Sequence, residues 1–342
     1  MSDIPIIRLQ RIMSTGRQEI FRKTLQLPRN GMGLVRLRCG PLAREAWSQY
    51  ISDYGESLSS WSSKMFAPGP HLTLFPIRPR CVEPFMGTVR VLILRAPGAN
   101  CDGETQFAFE QAGARADRLH INRLRDSPSL LRNYQILTIP GGFTYGDDVA
   151  AGKILANQLA YFLGDALRAF RDNERLILGI CNGFQVLLKA GLLVPPDEEG
   201  PIATLTHNAS EKFEDRWVHL RVHAAKCPFL LGLDRLYLPV AHGEGRFVCR
   251  HDWQVQGLIQ AGQAVLRYYD PQGRSPAAYP ANPNGSLGDI AGLCDATGRV
   301  LGLMPHPERH VLPTQHPQWT RNGLAAEGEG LALFRNAVRY FA

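Results

Sequence analysis

One stretch constrains the fold more than any other. The apolar run over residues 176–180 leads straight into Gly179-Ile180-Cys181-Asn182-Gly183-Phe184-Gln185, and a helical pattern follows over residues 183–190. A short run without polar interruption predicts a strand buried on both faces, the kind found inside parallel sheets. A residue caught between such a strand and the first turn of a helix sits on a sharp bend, and glycines two positions to either side leave room for it. Two more runs behave alike: residues 89–94 end at Pro97-Gly98, and Ile136–Ile139 end at Pro140-Gly141-Gly142. Helical spacing over residues 104–111 and 154–170 separates the runs. Alternating buried strands and helices predict an α/β, three-layer α/β/α domain with a parallel sheet covered on both faces. Later strands are expected at residues 217–222, 236–240, 290–294 and 300–304, between loops rich in Gly, Pro and Asn. A final helix is expected over residues 324–340.

The pattern begins at Met86. Residues 1–85 carry 12 Lys and Arg against six Asp and Glu, while the remaining 257 carry 26 against 25. The basicity of the chain, +7 overall, therefore lies almost wholly in a segment whose apolar residues keep no period beyond a short amphipathic stretch near residues 17–27. That segment reads as a basic, poorly patterned N-terminal extension, poorly ordered or translated from a start upstream of the native one. A docking segment is an alternative, as is a targeting peptide, against which Asp3 and Glu19 argue. No recognition fold accompanies the charge, so nucleic acid is not implicated. With 44% hydrophobic and 20% charged residues, the chain has the composition of a globular protein. It has no apolar run long enough for a membrane span and no secretory signal over residues 1–10. Seven scattered cysteines without a C-x-x-C pair suggest neither a zinc site nor a disulfide framework, and fit a reduced, cytoplasmic setting.

Chemistry concentrates in three places. Cys181, at a helix N-terminus, is placed as a nucleophile, because aligned peptide dipoles favour its thiolate. The free amide of Asn182 beside it is a candidate oxyanion donor. Met304-Pro305-His306-Pro307-Glu308-Arg309 offers the base: two prolines hold the backbone extended, and Glu308 can reach back to orient the His306 imidazole. Gly142, following a buried strand, can bring a second amide close to a ligand. No metal site is expected. Gly152-Lys153 lacks the flanking residues of a phosphate loop. His242-Gly243-Glu244 lacks further ligands at metal-binding spacing and reads as a Gly-rich loop beside the substrate pocket or a partner surface. Asn208-Ala209-Ser210 and Asn284-Gly285-Ser286 match glycosylation sequons, which mean nothing without secretion.

Together these motifs resemble a class I, triad-type glutamine amidotransferase domain of flavodoxin-like fold over about residues 86–342. Further strings resemble the glutaminase subunits of phosphoribosylformylglycinamidine synthase: Pro97-Gly98-Ala99-Asn100-Cys101-Asp102, PGGFTYGD at 140–147, HGEGRF at 242–247, YPANPNGS at 279–286 and MPHPER at 304–309. The resemblance implies that Cys181 forms a γ-glutamyl thioester from L-glutamine and that His306 moves the protons while Glu308 orients it. Gly142 and Asn182 would then hold the oxyanion and Gln185 would help bind glutamine. It implies no cofactor on this chain. ATP and Mg are expected on a separate synthetase subunit that receives the ammonia, with a small bridging subunit in the same complex. Two features depart from the family: Ala99 replaces a usual Thr, and the 85-residue extension has no counterpart. A stand-alone hydrolase such as a γ-glutamyl peptidase, and a non-catalytic binding module, are the competing readings.

Overall fold

The uninterrupted apolar runs become the middle of a sheet, because a strand with no polar face is stable only where both faces are covered. The computed structural model describes residues 87–223 and 226–342. The extension read over residues 1–85, with its short amphipathic stretch, lies outside the described residues. In chain order the strands are β1 (Arg90–Arg95), β2 (Arg115–His120), β3 (Ile136–Ile139), β4 (Leu176–Ile180), β5 (Ala203–Thr206), β6 (Glu214–Val222), β7 (Arg235–His242), β8 (Arg246–Cys249), β9 (Leu266–Tyr268), β10 (Ile290–Cys294) and β11 (Val300–Leu303). The α-helices are α1 (Asp102–Gln111), α2 (Ile121–Asp126), α3 (Lys153–Asp172), α4 (Asn182–Lys189), α5 (Asp252–Gln260), α6 (Trp319–Asn322) and α7 (Leu331–Arg339).

Among the described residues nine strands form one sheet in the order β2-β1-β3-β4-β11-β10-β9-β6-β7, and β5 pairs with β8 apart from it. The half from β2 to β11 is parallel, with Val91 opposite Ile136, Ile136 opposite Leu176 and Ile177 opposite Val300. From β1 the chain crosses to β2 on one side, whereas from β3 it crosses to β4 on the other. Right-handed crossovers in opposite directions put α1 and α3 on opposite faces of the sheet, which is the three-layer arrangement. Helix α7 joins α1: the buried rings of Phe109 and Phe334 meet edge to face at 4.9 Å. Each such ring contributes about 1.5–3 kcal/mol by leaving water. Helix α4 lies against β11, where a Cβ on Gly302 would come within 2.3 Å of the Phe184 ring.

Two expectations need correction, and one parallel strand went unread. The sheet is parallel only in its first half; β10 pairs antiparallel with β11 and β9, and β6 pairs antiparallel with β9 and β7. Residues 295–299 alone join β10 to β11, too few for a crossover, so a hairpin forms. The C-terminal helix begins at Leu331 rather than 324. Before it the backbone runs against the loop after β11: the amides of Gly328 and Gly330 donate to the carbonyls of Val311 and His310, and a Cβ on Gly330 would strike the Pro307 oxygen at 2.0 Å. Strand β2 went unread because Arg115-Ala116-Asp117-Arg118 carries too much charge for a core strand. Among the described residues it is an edge strand, paired only with β1 and tied to it by the 2.7 Å ion pair of Arg90 with Asp117. No helix among the described residues is long and apolar enough to cross a membrane.

A close approach in the core gives a stability test. A Cβ on Gly183 would stand 2.0 Å from the Ile139 carbonyl oxygen, a backbone atom that cannot turn aside. Overpacking of this kind costs about 1–3 kcal/mol. Gly183→Ala should therefore lower Tm by several degrees, at roughly 2–4 °C per kcal/mol for a domain of this size. A calorimetric Tm equal to wild type would mean that α4 does not press this closely on β3.

Candidate active site

Order in the sheet reverses between β1 and β3, and α/β proteins place ligands beyond the carboxyl ends of their strands at such a reversal. Four segments gather there: residues 96–101 after β1, Pro140 to Gly142 after β3, Cys181 after β4, and Met304 to Glu308 after β11. Strand β4 is buried along its whole length and is hydrogen-bonded on both sides, to β3 and β11. It ends at Ile180. Cys181 then adopts φ 51° and ψ −106°, a conformation that costs a non-glycine residue on the order of 1–3 kcal/mol. Its surroundings enforce it. The Cys181 amide donates to the Leu303 carbonyl at 2.8 Å, and its own carbonyl accepts from the amides of Phe184 and Gln185. The thiol is buried, with the Ala241 carbonyl oxygen 3.7 Å away.

His306 and Glu308 lie on the rigid turn after β11. Imidazole Nδ1 and the Glu308 Oε1 carboxylate oxygen are 2.6 Å apart, both side chains are buried, and Nε2 has no hydrogen-bond partner among the described residues. The His306 amide donates to the Pro239 carbonyl at 2.8 Å. Burial opposes a charge on this ring. The Glu308 carboxylate opposes burial, helped by the Cys181 and Cys101 thiols against the ring, and their combined effect pushes the His306 pKa well above 6.5.

The expected oxyanion amides are placed differently from each other. Gly142 sits at φ +142°, bridged to Ala99, and a Cβ there would collide with the Gly98 oxygen at 2.7 Å. Asn182 opens α4. Among the described residues neither amide finds an acceptor. The Asn182 side chain belongs to a buried network: Thr144 Oγ1 donates to Asn182 Oδ1 at 2.6 Å, and Asn182 Nδ2 donates to Gln185 Oε1 at 2.9 Å and Asp147 Oδ1 at 3.2 Å. Gln185 Nε2 in turn donates to the Glu244 carbonyl at 2.6 Å. Both ends of the Gln185 amide are thus engaged within the protein.

The Gly-rich loop at residues 242–244, expected beside the substrate pocket or a partner surface, lies at the site, while the buried amides around it escaped the motif reading. The HGEGRF string turns out to be a wall of the site, with Ala241 beside the thiol and Glu244 joined to Gln185. His242 is buried, and burial, with the nearby His306, lowers its pKa to about 3. A neutral ring then donates from Nδ1 to Asn208 Oδ1 at 3.1 Å, with Asn284 Nδ2 3.5 Å from Nε2. Asn284 also donates to the Gly245 carbonyl and the Tyr268 hydroxyl. Asn208 and Asn284, met in sequence as sequons, are structural amides inside the protein. Their hydrophilic side chains gave no local sign of burial.

A central mixed sheet flanked by helices, with a cysteine on a strained turn at its strand ends, is the architecture of class I glutamine amidotransferase domains. A family model described as the CobB/CobQ-like glutamine amidotransferase domain matches residues 88–341. The phosphoribosylformylglycinamidine synthase subunit PurQ of Dehalococcoides mccartyi is 49% identical over 256 residues, 75% of this chain and 98% of that protein. The protein of the same name from Methanococcus maripaludis is 41% identical over 266 residues, 74% of this chain and 97% of that one. In the solved structure of PurLQS from Thermotoga maritima, one chain is covered in full by 75% of this chain, at 30% identity and TM-score 0.57. The chain belongs to the CobB/CobQ-like glutamine amidotransferase family, in the branch formed by these PurQ subunits.

The buried pair yields a direct test. In Glu308→Gln the largest contribution favouring the imidazolium is gone while burial still opposes it, so the His306 pKa should fall. NMR titration of histidine-labelled protein, with His306 assigned by its loss in a His306→Ala variant, reads this. An unshifted His306 resonance in Glu308→Gln would show that the carboxylate does not govern the ring.

Proposed function

We propose that this chain is the glutaminase subunit of phosphoribosylformylglycinamidine synthase. It hydrolyses L-glutamine and hands the ammonia to a separate ATP-dependent synthetase, which converts formylglycinamide ribonucleotide to formylglycinamidine ribonucleotide in de novo purine (IMP) biosynthesis. The observation that carries this reading is the Cys181, His306 and Glu308 set, buried at the strand ends of a chain 49% identical to a subunit of that synthase.

In this reading, His306 Nε2 takes the Cys181 proton, since Nδ1 is occupied by Glu308. The sulfur attacks the side-chain amide carbon of glutamine, and the Gly142 and Asn182 amides receive the negative oxygen. The carbon–nitrogen bond breaks as the imidazolium returns its proton to the leaving nitrogen, so ammonia departs and a γ-glutamyl thioester stays on Cys181. Water then attacks the thioester with His306 again as base, releasing glutamate and restoring the thiol. Gln185 helps bind glutamine, holding the Glu244 wall in place through its own amide.

This chain needs no cofactor for those steps; ATP and Mg act on the synthetase, and a small bridging subunit completes the complex. Cys101, His306 and Glu308 do bring ligand-type atoms within 4.8 Å of one another. The Arg309 guanidinium, 3.1 Å from the Cys101 sulfur, argues against a cation among them. A reduced, cytoplasmic setting suits a thiol nucleophile, and the five described cysteines are all free.

The deciding experiment measures amidine formation by this chain with its synthetase and bridging subunits, comparing wild type with Cys181→Ala. The variant should fail with glutamine and match wild type with ammonium chloride. His306→Ala should lose about 10²–10⁴-fold with glutamine alone. Equal rates for Cys181→Ala and wild type on glutamine would overturn the assignment.

A further inference from the structure

A second thiol stands at this site, and nothing in the reaction above uses it. Cys101, in the loop that opens α1, is 1% exposed. Its sulfur accepts from Arg309 Nη2 at 3.1 Å and lies 3.3 Å from Asn100 Oδ1, to which its S–H donates. Its amide donates to the Gly141 carbonyl at 3.2 Å, and its carbonyl accepts from Thr105 Oγ1 at 2.7 Å. Three loops meet at this one residue: the end of β1, the Pro-Gly-Gly turn after β3, and the turn after β11. A Cβ on Gly141 would come within 2.8 Å of His306 Cε1 and 3.2 Å of the Cys101 sulfur, so no slack remains between ring, turn and thiol. Arg309 is anchored in turn by Glu104 on α1, Nε to Oε2 at 3.1 Å. His306 is therefore held by Glu308 through Nδ1, with the Cys101 sulfur within 4.8 Å of its ring nitrogen.

Resting on the glutaminase reading, we infer that Cys101 is a positioning residue for that reaction: with Arg309 it ties the His306 turn to the start of α1 and to the Gly141-Gly142 turn. It touches no substrate. Its effect is to keep the imidazole and the Gly142 amide in fixed relation, so that one group moving protons and another receiving the oxyanion act on the same carbonyl. A displacement of about 1 Å in such an arrangement can cost on the order of 10²-fold in rate.

The test uses the assembled complex with Cys101→Ala, Cys101→Ser, Arg309→Ala and the double variant Cys101→Ala/Arg309→Ala. Cys101→Ala should lower glutamine-dependent kcat by about 10- to 100-fold with little change in KM, while the ammonium-dependent rate stays at the wild-type value. Cys101→Ser, which keeps a hydrogen-bonding atom for Arg309 and Asn100, should recover most of that loss. The double variant should lose no more than the worse single variant, because both act through one tether. A merely structural cysteine would lower Tm and the yield of complex but leave kcat of the assembled enzyme unchanged, and that result would overturn the inference. Wild type serves as the internal reference. If it shows Cys181-dependent glutamine turnover and Cys101→Ala matches it, only this inference fails; if wild type shows none, the glutaminase reading fails first.

Discussion

The junction between β4 and α4 is the constraint from which the rest of the site follows. A central strand hydrogen-bonded on both sides cannot shift along its axis, and a helix whose Gly183 is pressed against the Ile139 oxygen cannot shift toward or away from the sheet. One residue has to join them, and at Cys181 it does so in a backbone conformation no side chain prefers. Such strain persists only where surrounding structure over-determines it. The consequence is chemical. The thiol is raised out of the strand at the helix N-terminus, while the amide of Asn182 finds no acceptor among the described residues.

The His306 and Glu308 pair is a different kind of constraint. Taking an imidazolium and a carboxylate out of water is expensive, and their attraction offsets that cost only when geometry is good. Here the contact is 2.6 Å and both groups are almost wholly enclosed. Losing one member of such a pair typically costs about 3–5 kcal/mol, because the other is left charged and unpartnered. An apolar pair of equal volume would hold the loop as well, so stability does not explain these residues. Control of one ring's proton does: with Nδ1 committed to Glu308, the exchangeable position is Nε2.

What the sequence discloses divides along a physical line. Local pattern sufficed for β1, β3, β4, α3 and the Cys181 turn, since an apolar run, a glycine pair and a helical period are all properties of neighbouring residues. The spacing of His306 and Glu308 was readable for the same reason. Strand β2 was not, because an edge strand takes its conformation from its partner rather than from its own composition. The start of α7 was missed because what forbids a helix at Gly328 and Gly330 is the distant loop at Pro307 and His310. The amides of Asn208, Asn284 and Gln185 are buried through partners 34 to 59 residues away. Resemblance to a family supplied motif strings holding Asn284 and Gln185 but none holding Asn208, and the hydrogen bonds of all three needed the folded structure.

The least obvious feature is how the antiparallel half takes part. Strand β7 is last in the sheet order, four places from β11. At about 4.8 Å per strand, a flat sheet would leave β7 roughly 19 Å from the turn that carries His306. Yet the Pro239 carbonyl of β7 accepts from the His306 amide at 2.8 Å, and the Tyr237 carbonyl lies 2.9 Å from His310 Nδ1. The sheet must therefore curl until its free edge meets the turn after β11, as accumulated strand twist permits. An exposed edge is a liability that proteins cover, and here the covering segment is the one that holds His306. Proline suits such an edge, having no amide to leave unpaired. The contacts that close the sheet also aim the imidazole, so the curl of the antiparallel half is part of the site that the parallel half presents.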